Sequence, residues 1–231
     1  KEPECTTEDL ASITDVLGTA TTYYGSTTGR NKNVETGAEK LNGHILMPGE
    51  EFSVTDAVVP FTEENGYELA PSYESGKVVD SYGGGICQVS STLFNAVVRA
   101  GLEITERYNH TIASSYVPLG EDAAIDYPAK DFKFRNNSEG PVAVVMSFDE
   151  SEKKLTASVY GIPILEDGVT LDLESEVTAT IPMPEPTYQE DPNLLYGEEL
   201  TVEEGREGSK VTTYLLTLKD GEEIDREVLH T

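Results

Sequence analysis

Three consecutive glycines, Gly83, Gly84 and Gly85, followed at once by an amphipathic run, constrain this chain more than any other stretch. Residues without Cβ adopt backbone angles closed to other residues and let a neighbouring chain or ligand come close. Beyond them Ile86, Val89, Leu93, Val97 and Ala100 recur at three- and four-residue steps, which predicts a buried helix ended by Gly101. Cys87 then falls in the first helical turn, where free N–H groups and the positive end of the dipole favour an anion. A thiol so placed is biased toward thiolate, the form that attacks carbonyls. The competing reading is a cysteine that only fills space beside the helix.

The surroundings narrow the fold. The chain has 231 residues, 37% hydrophobic, with 12 Tyr and 6 Phe, enough for a real core in one large or two modest domains. Thr7 to Leu17 reads as a helix, Thr19 to Tyr24 as a strand, Gly25 to Asn33 as a loop and Val34 to Leu41 as a second helix. His44 to Met47 and Glu51 to Val54 read as extended, and Thr55 to Gly76 as a long loop pinned by Tyr67, Leu69 and Tyr73. After the cysteine helix, strands are expected at Leu102 to His110, around Phe132 and Phe134, and in a hairpin of Val142 to Phe148 with Leu155 to Tyr160. Strands grouped after one main helix make this part α+β. Composition changes near Gly161-Ile162-Pro163. From Leu165 onward 4 basic residues face 18 acidic ones, and only strands are expected, at Val177 to Pro182, Glu198 to Val202, Val211 to Leu218 and Glu222 to Leu229. The reading is therefore a lead-in over 1–16, an α+β domain over 17–163 and a small, elongated all-β module over 164–231.

Charge limits the partners. With 16 basic and 43 acidic residues the net charge is −27, which repels nucleic-acid phosphates and anionic lipid heads. No apolar run is long enough to cross a bilayer, so a membrane is expected only through a removed anchor or export signal. The two cysteines, Cys5 and Cys87, form either one disulfide or two separate thiols, and no usual zinc spacing occurs. No Gly-Lys-Ser/Thr follows the glycines, so they are not a phosphate loop, and no cofactor is expected.

A reactive Cys87 needs a base. His44 follows a helix end and His230 closes the other module, which leaves His110, 23 residues beyond the cysteine. Asp122 and Asp126, or more weakly Asn109, are placed to orient its imidazole, and glycine amides with that of Cys87 to form an oxyanion hole. Each has an ordinary alternative: His110 bonding a carbonyl, Asp122 capping a turn, Gln88 satisfying buried backbone.

Leu17 to Gly161 resembles a VanW domain. The resemblance is carried by Asn42-Gly43 with Met47 to Ser53, by Gly83 through Ala96, by Arg107 to His110 with Tyr116 to Ala123, and by Asp131 to Asn137. The family's Gly-Gly-Gly-x-Cys-Gln motif falls on Gly83, Gly84, Gly85, Cys87 and Gln88, and its histidine on His110. Glu176 to Thr231 is similar to the extracellular G-five module through Gly197, Gly205, Gly208, Lys210, Tyr214 and Asp220-Gly221. These resemblances imply an extracellular, wall- or membrane-associated protein of a Gram-positive bacterium, with peptidoglycan or an N-acetylglucosamine-containing polymer as partner. Two functions follow. In the first, a non-catalytic cleft binds the wall through Gly83, Gly84, Gly85, Gln88 and Tyr116. In the alternative, a cysteine enzyme hydrolyses or transfers peptidoglycan peptides, with Cys87 as nucleophile, His110 as base and Asp122 as orienter.

Overall fold

A computed structural model describes residues 5–25, 27–74, 77–202 and 204–231. The chain opens with α1 (Thr7–Ser12), β1 (Asp15–Tyr23), α2 (Thr28–Leu41), β2 (Ile45–Leu46), β3 (Glu51–Ser53) and α3 (Val54–Val58). A 3-10 turn, Glu63–Asn65, leads to the hairpin β4 (Leu69–Glu74) and β5 (Lys77–Tyr82), then to α4 (Ile86–Arg99). There follow β6 (Glu103–Glu106), β7 (Lys133–Arg135), β8 (Val142–Asp149) and β9 (Lys154–Gly161), and finally β10 (Val169–Ile181), β11 (Gly208–Lys219) and β12 (Glu222–His230). The chain is thus a mixed helix-and-sheet region followed by an all-β sheet.

The amphipathic run after the glycines is the centre of the molecule. Twelve of the fourteen residues of α4 are buried, including Val89, Leu93, Phe94 and Val97. One side of it packs on β1 and β9 of an antiparallel sheet ordered β1-β9-β8-β2. Gly18 lies where β1 crosses α4, and a Cβ there would strike the Ala96 carbonyl, so the crossing distance depends on that glycine. Another side meets Phe132, whose ring is edge-to-face with Phe94 at 5.6 Å, just ahead of the small sheet β3-β7-β6. α2 covers the first turn, with Gly37 pressed against Ile86.

Several expectations need correction. α1 stops at Ser12, and Leu10 and Val16 are exposed. Val16 and Leu17 belong to β1, because Asp15 pairs with Gly161 at the end of β9 and the sheet ladder outcompetes a short helix. α2 begins six residues earlier than expected, at Thr28. Its polar first half buries Asn31 and Asn33, and Asn33 donates to the Glu68 and Gly84 carbonyls and accepts from the Glu68 amide. The long loop holds α3, the 3-10 turn and β4, with Tyr67 buried and bonded to the Val58 carbonyl at 2.7 Å, while Leu69 is exposed. The Tyr73 side chain lies outside the described residues. β6 ends at Glu106, so the stretch to His110 is irregular. No strand forms over Glu198 to Val202, which is exposed throughout.

The β10-β11-β12 sheet does not hang free. Leu173 joins the core, Arg99 of α4 pairs with Asp172 at 2.8 Å, and His230 Nε2 bonds the Gly120 carbonyl at 2.7 Å.

Candidate functional site

Gly85 opens α4 with φ +110°, a conformation that side-chain-bearing residues rarely adopt. The three glycines are packed by the chain itself. A Cβ on Gly83 would meet the Phe61 ring at 2.9 Å, one on Gly84 the Ala70 carbonyl at 2.6 Å, and one on Gly85 the Arg30 side chain at 3.0 Å. The Ile86 and Gln88 amides are spent on the Gly83 and Gly85 carbonyls. Among the described residues, those of Gly85 and Cys87 carry no turn or loop bond.

Cys87 is half-buried and not in a disulfide, and Cys5 is likewise free. Its Sγ lies 3.4 Å from the Ile125 carbonyl, the first rung of a ladder along α4. One turn on, Ser91 Oγ accepts from the Ala123 amide at 2.9 Å. A turn further, Asn95 Nδ2 donates to the Glu121 carbonyl at 2.7 Å. Four helical residues rise about 6 Å and two extended residues about 6.7 Å, so a strand-like segment keeps step with every fourth residue of a helix. Residues 121–125 therefore run antiparallel to α4 in fixed register. Side chains alternate along an extended segment, and Asp122 is turned to its own partners.

Those partners include His110. Asp122 Oδ2 lies 2.6 Å from His110 Nδ1 and accepts from the His110 amide, also at 2.6 Å. Oδ1 accepts from Arg107 Nη2 at 2.9 Å, and Arg107 also donates to the Asp122 and Gly120 carbonyls. The Arg107 guanidinium lies 5.7 Å from the centre of the Phe94 ring. His110 is thus held at backbone and ring by one carboxylate, itself clamped by an arginine. On the other edge of the ring, Nε2 is 3.3 Å from the Tyr116 hydroxyl. Burial alone would lower the proton affinity of His110. The Asp122 hydrogen bond, then the influence of the Cys87 side chain, overcome it and push its pKa up to about 9. Asp122 is held below the usual carboxylate range, because its bonds to His110 and the Arg107 charge outweigh the opposite effect of burial. Burial, followed by the Cys87 charge, raises Tyr116.

Gln88, 1% exposed, is a connector. Its Nε2 donates to Thr22 Oγ1 and the Tyr23 carbonyl, and its Oε1 accepts from Arg30 Nη2, all at 2.9 Å. Asp126 instead closes a turn with Lys130, and Asn109 bonds the His110 carbonyl. His44 bonds the Lys40 carbonyl. Reading the sequence alone missed Arg30, Arg107, Ser91 and Asn95. Ser91, Asn95 and Arg99, recurring every fourth place beyond Cys87 on one face of the helix, were the available signal for the last two.

A groove of about 330 Å³, which Cys87 does not line, lies toward the far end of α4, bounded by Thr19, Thr21, Asn95, Arg99, Tyr116 and Glu121. Tyr116 is the wall shared with the His110 centre. Burial, opposed by Arg99 and reinforced by Asp172, pushes Glu121 up to about 7. Among the described residues no cluster of three or more His, Cys, Asp or Glu side chains could hold a metal, and no helix is long and apolar enough to cross a membrane.

The chain is similar to an uncharacterized protein, YoaR, of Bacillus subtilis, with 42% identity over 144 residues, 62% of this chain and 48% of that protein. It is also 29% identical over 133 residues to the vancomycin B-type resistance protein VanW of Enterococcus faecalis, covering 55% of this chain and 48% of the relative. The chain spans about half the length of these curated relatives. No solved structure matches it. Residues 174–231 match the G5 domain. Residues 29–160, which contain Arg30, the glycines, Cys87, His110 and Asp122, match the model of VanW-like proteins, and the chain belongs to that family.

Proposed function

We propose that this protein is a cysteine acyl-transfer enzyme acting on peptides of the bacterial cell wall, with Cys87 as nucleophile, His110 as acid–base and Asp122 as orienter. The observation that carries this reading is the 2.6 Å contact of Asp122 with His110 Nδ1, on an imidazole that also feels the Cys87 side chain. An imidazole whose pKa is about 9 holds its proton at neutral pH, which suits a thiolate–imidazolium pair. In the reaction the Cys87 thiolate adds to a peptide carbonyl, while the Gly85 and Cys87 amides face the developing oxyanion. The C–N bond then breaks, and the leaving amine takes the proton from His110 Nε2. The resulting thioester passes its acyl group to water or to a second amine, with His110 receiving a proton from the acceptor. Arg107 keeps Asp122 ionised and in place.

Binding without chemistry is the other function weighed from the sequence. Two features favour it as an accompaniment: the groove beside Tyr116 suits a polar chain, and the G5 match suggests a wall polymer at the cell surface. The groove then serves as the approach to Cys87. Incubation with purified peptidoglycan peptides, followed by intact-protein mass, tests the reading. The expected result is an acyl adduct on Cys87, absent from Cys87→Ala and accumulating when His110→Ala slows its turnover. If wild type forms neither adduct nor released amine, and its thiol is alkylated no faster than that of a free peptide cysteine, the catalytic proposal is wrong.

A further inference from the structure

Arg30 stands in the first turn of α2, against the glycines that open α4. Its Nη2 is fixed by Gln88 Oε1 at 2.9 Å, and Gln88 is itself tied to β1 through Thr22 and Tyr23. Its Nη1 is buried and has no hydrogen-bond partner. Tyr116 and Cys87 are the groups whose charge bears on it. Among the described residues it makes no salt bridge, although the chain carries 43 acidic side chains. A sheltered cation with an idle donor, set beside the positive end of a helix, is unfavourable twice over. It becomes favourable once an anion from outside the chain completes the pair.

Taking the acyl-transfer reading as given, we propose that Arg30 anchors the substrate by binding a free carboxylate on the leaving-group side of the bond that Cys87 attacks. A guanidinium fork matches a carboxylate in plane and spacing, and a fork already oriented by Gln88 loses little freedom on binding. Gly85 keeps side-chain atoms off that side of the guanidinium, since a Cβ there would sit 3.2 Å from Nη1. Cys87 follows two residues later, so a carboxylate on Nη1 leaves the adjoining carbonyl toward the thiol. Tyr116, tethered to His110 by a 3.3 Å bond, is the side chain that gives way as the ligand enters.

The test measures binding apart from chemistry. Cys87→Ala protein is titrated calorimetrically with an N-acetylated tetrapeptide ending in D-alanine, and with the same peptide as its C-terminal amide. The acid is expected to bind at least about tenfold more tightly than the amide, as a charge-assisted hydrogen bond in a sheltered site allows. Arg30→Gln in the same background weakens the acid to the level of the amide and leaves the amide unchanged, and Arg30→Lys keeps part of the preference. Because the acid-to-amide ratio is read within one preparation, partial misfolding cancels, and Arg30→Lys serves if Arg30→Gln does not fold. Equal affinities for acid and amide, no binding of either, or an equal loss of both in Arg30→Gln each overturn the assignment. Adduct formation by wild type with the same peptide is scored separately. Acid preference without an adduct leaves Arg30 standing and removes the acyl-transfer reading, whereas an adduct without preference does the reverse.

Discussion

Asp122→Asn tests the centre at the group that holds it together. In the native protein the imidazole of His110 is raised from 6.5 to about 9 against the opposing effect of burial, through Asp122 first and Cys87 second. Two and a half pH units correspond to about 3 kcal/mol of preference for the imidazolium in the folded state, at 1.36 kcal/mol per unit. A folded pKa above the unfolded one stabilises fully below the unfolded value and is lost as pH rises through the folded value. Wild-type stability should therefore lose about 3 kcal/mol from this group between pH 6.5 and 9. Asparagine keeps the shape but removes the charge and leaves Arg107 facing a neutral amide. The largest upward influence is then gone, and His110 should titrate below its native value. Proton NMR of the three histidine rings across pH 5 to 10, with His44→Gln and His230→Gln for assignment, reads the shift directly. Urea unfolding at pH 6 and 9 reads the linked stability. A wild-type His110 that titrates at or below 6.5, or an Asp122→Asn protein with an unmoved midpoint, would refute the electrostatic account of the centre.

Glu121→Gln should stabilise the protein at neutral pH and above. Its carboxyl, pushed up to about 7, favours the folded state below pH 4.5 and progressively loses that advantage up to pH 7, so the gain approaches about 3 kcal/mol in urea unfolding at pH 8. Gly84→Ala forces a methyl to 2.6 Å from the Ala70 carbonyl and should cost about 2 kcal/mol or more, seen as a lowered thermal midpoint. His230→Ala frees the Gly120 carbonyl from the β module. It should cost about 1 kcal/mol of stability and, if the acyl-transfer reading holds, lower adduct formation on Cys87 by more than that loss of folded protein explains. Tyr116→Phe removes the hydroxyl from His110 Nε2 and should speed alkylation of Cys87 by a small neutral reagent, measured as a rate ratio to wild type.

The central helix was legible because burial imposes its period on the sequence: Ile86, Val89, Leu93 and Val97 are all inside. The β8–β9 hairpin was legible for the same reason, with alternate residues of β9 buried. The first half of α2 was not, since its buried Asn33 is held by hydrogen bonds rather than apolar character, and composition marks such residues as loop. Cys87, His110 and Asp122 could be named from residue chemistry and spacing, but nothing in the order of residues tells which carboxylate meets the imidazole. The ladder Cys87–Ser91–Asn95 against residues 121–125 decides that, by fixing which way Asp122 faces. Arg30 was invisible because its partner is 58 positions away and its significance lies in a donor left idle.

The shared Gly120 carbonyl has a mechanical consequence. Arg107 and His230 both pull on that one oxygen, and Arg107 also grips the carboxylate two residues further on. A load applied along the long strands of the β module would reach the larger region at Gly120 as well as through Leu173 and the Arg99–Asp172 pair. Tension there would pass through Arg107 to Asp122, and so to the imidazole that this carboxylate holds.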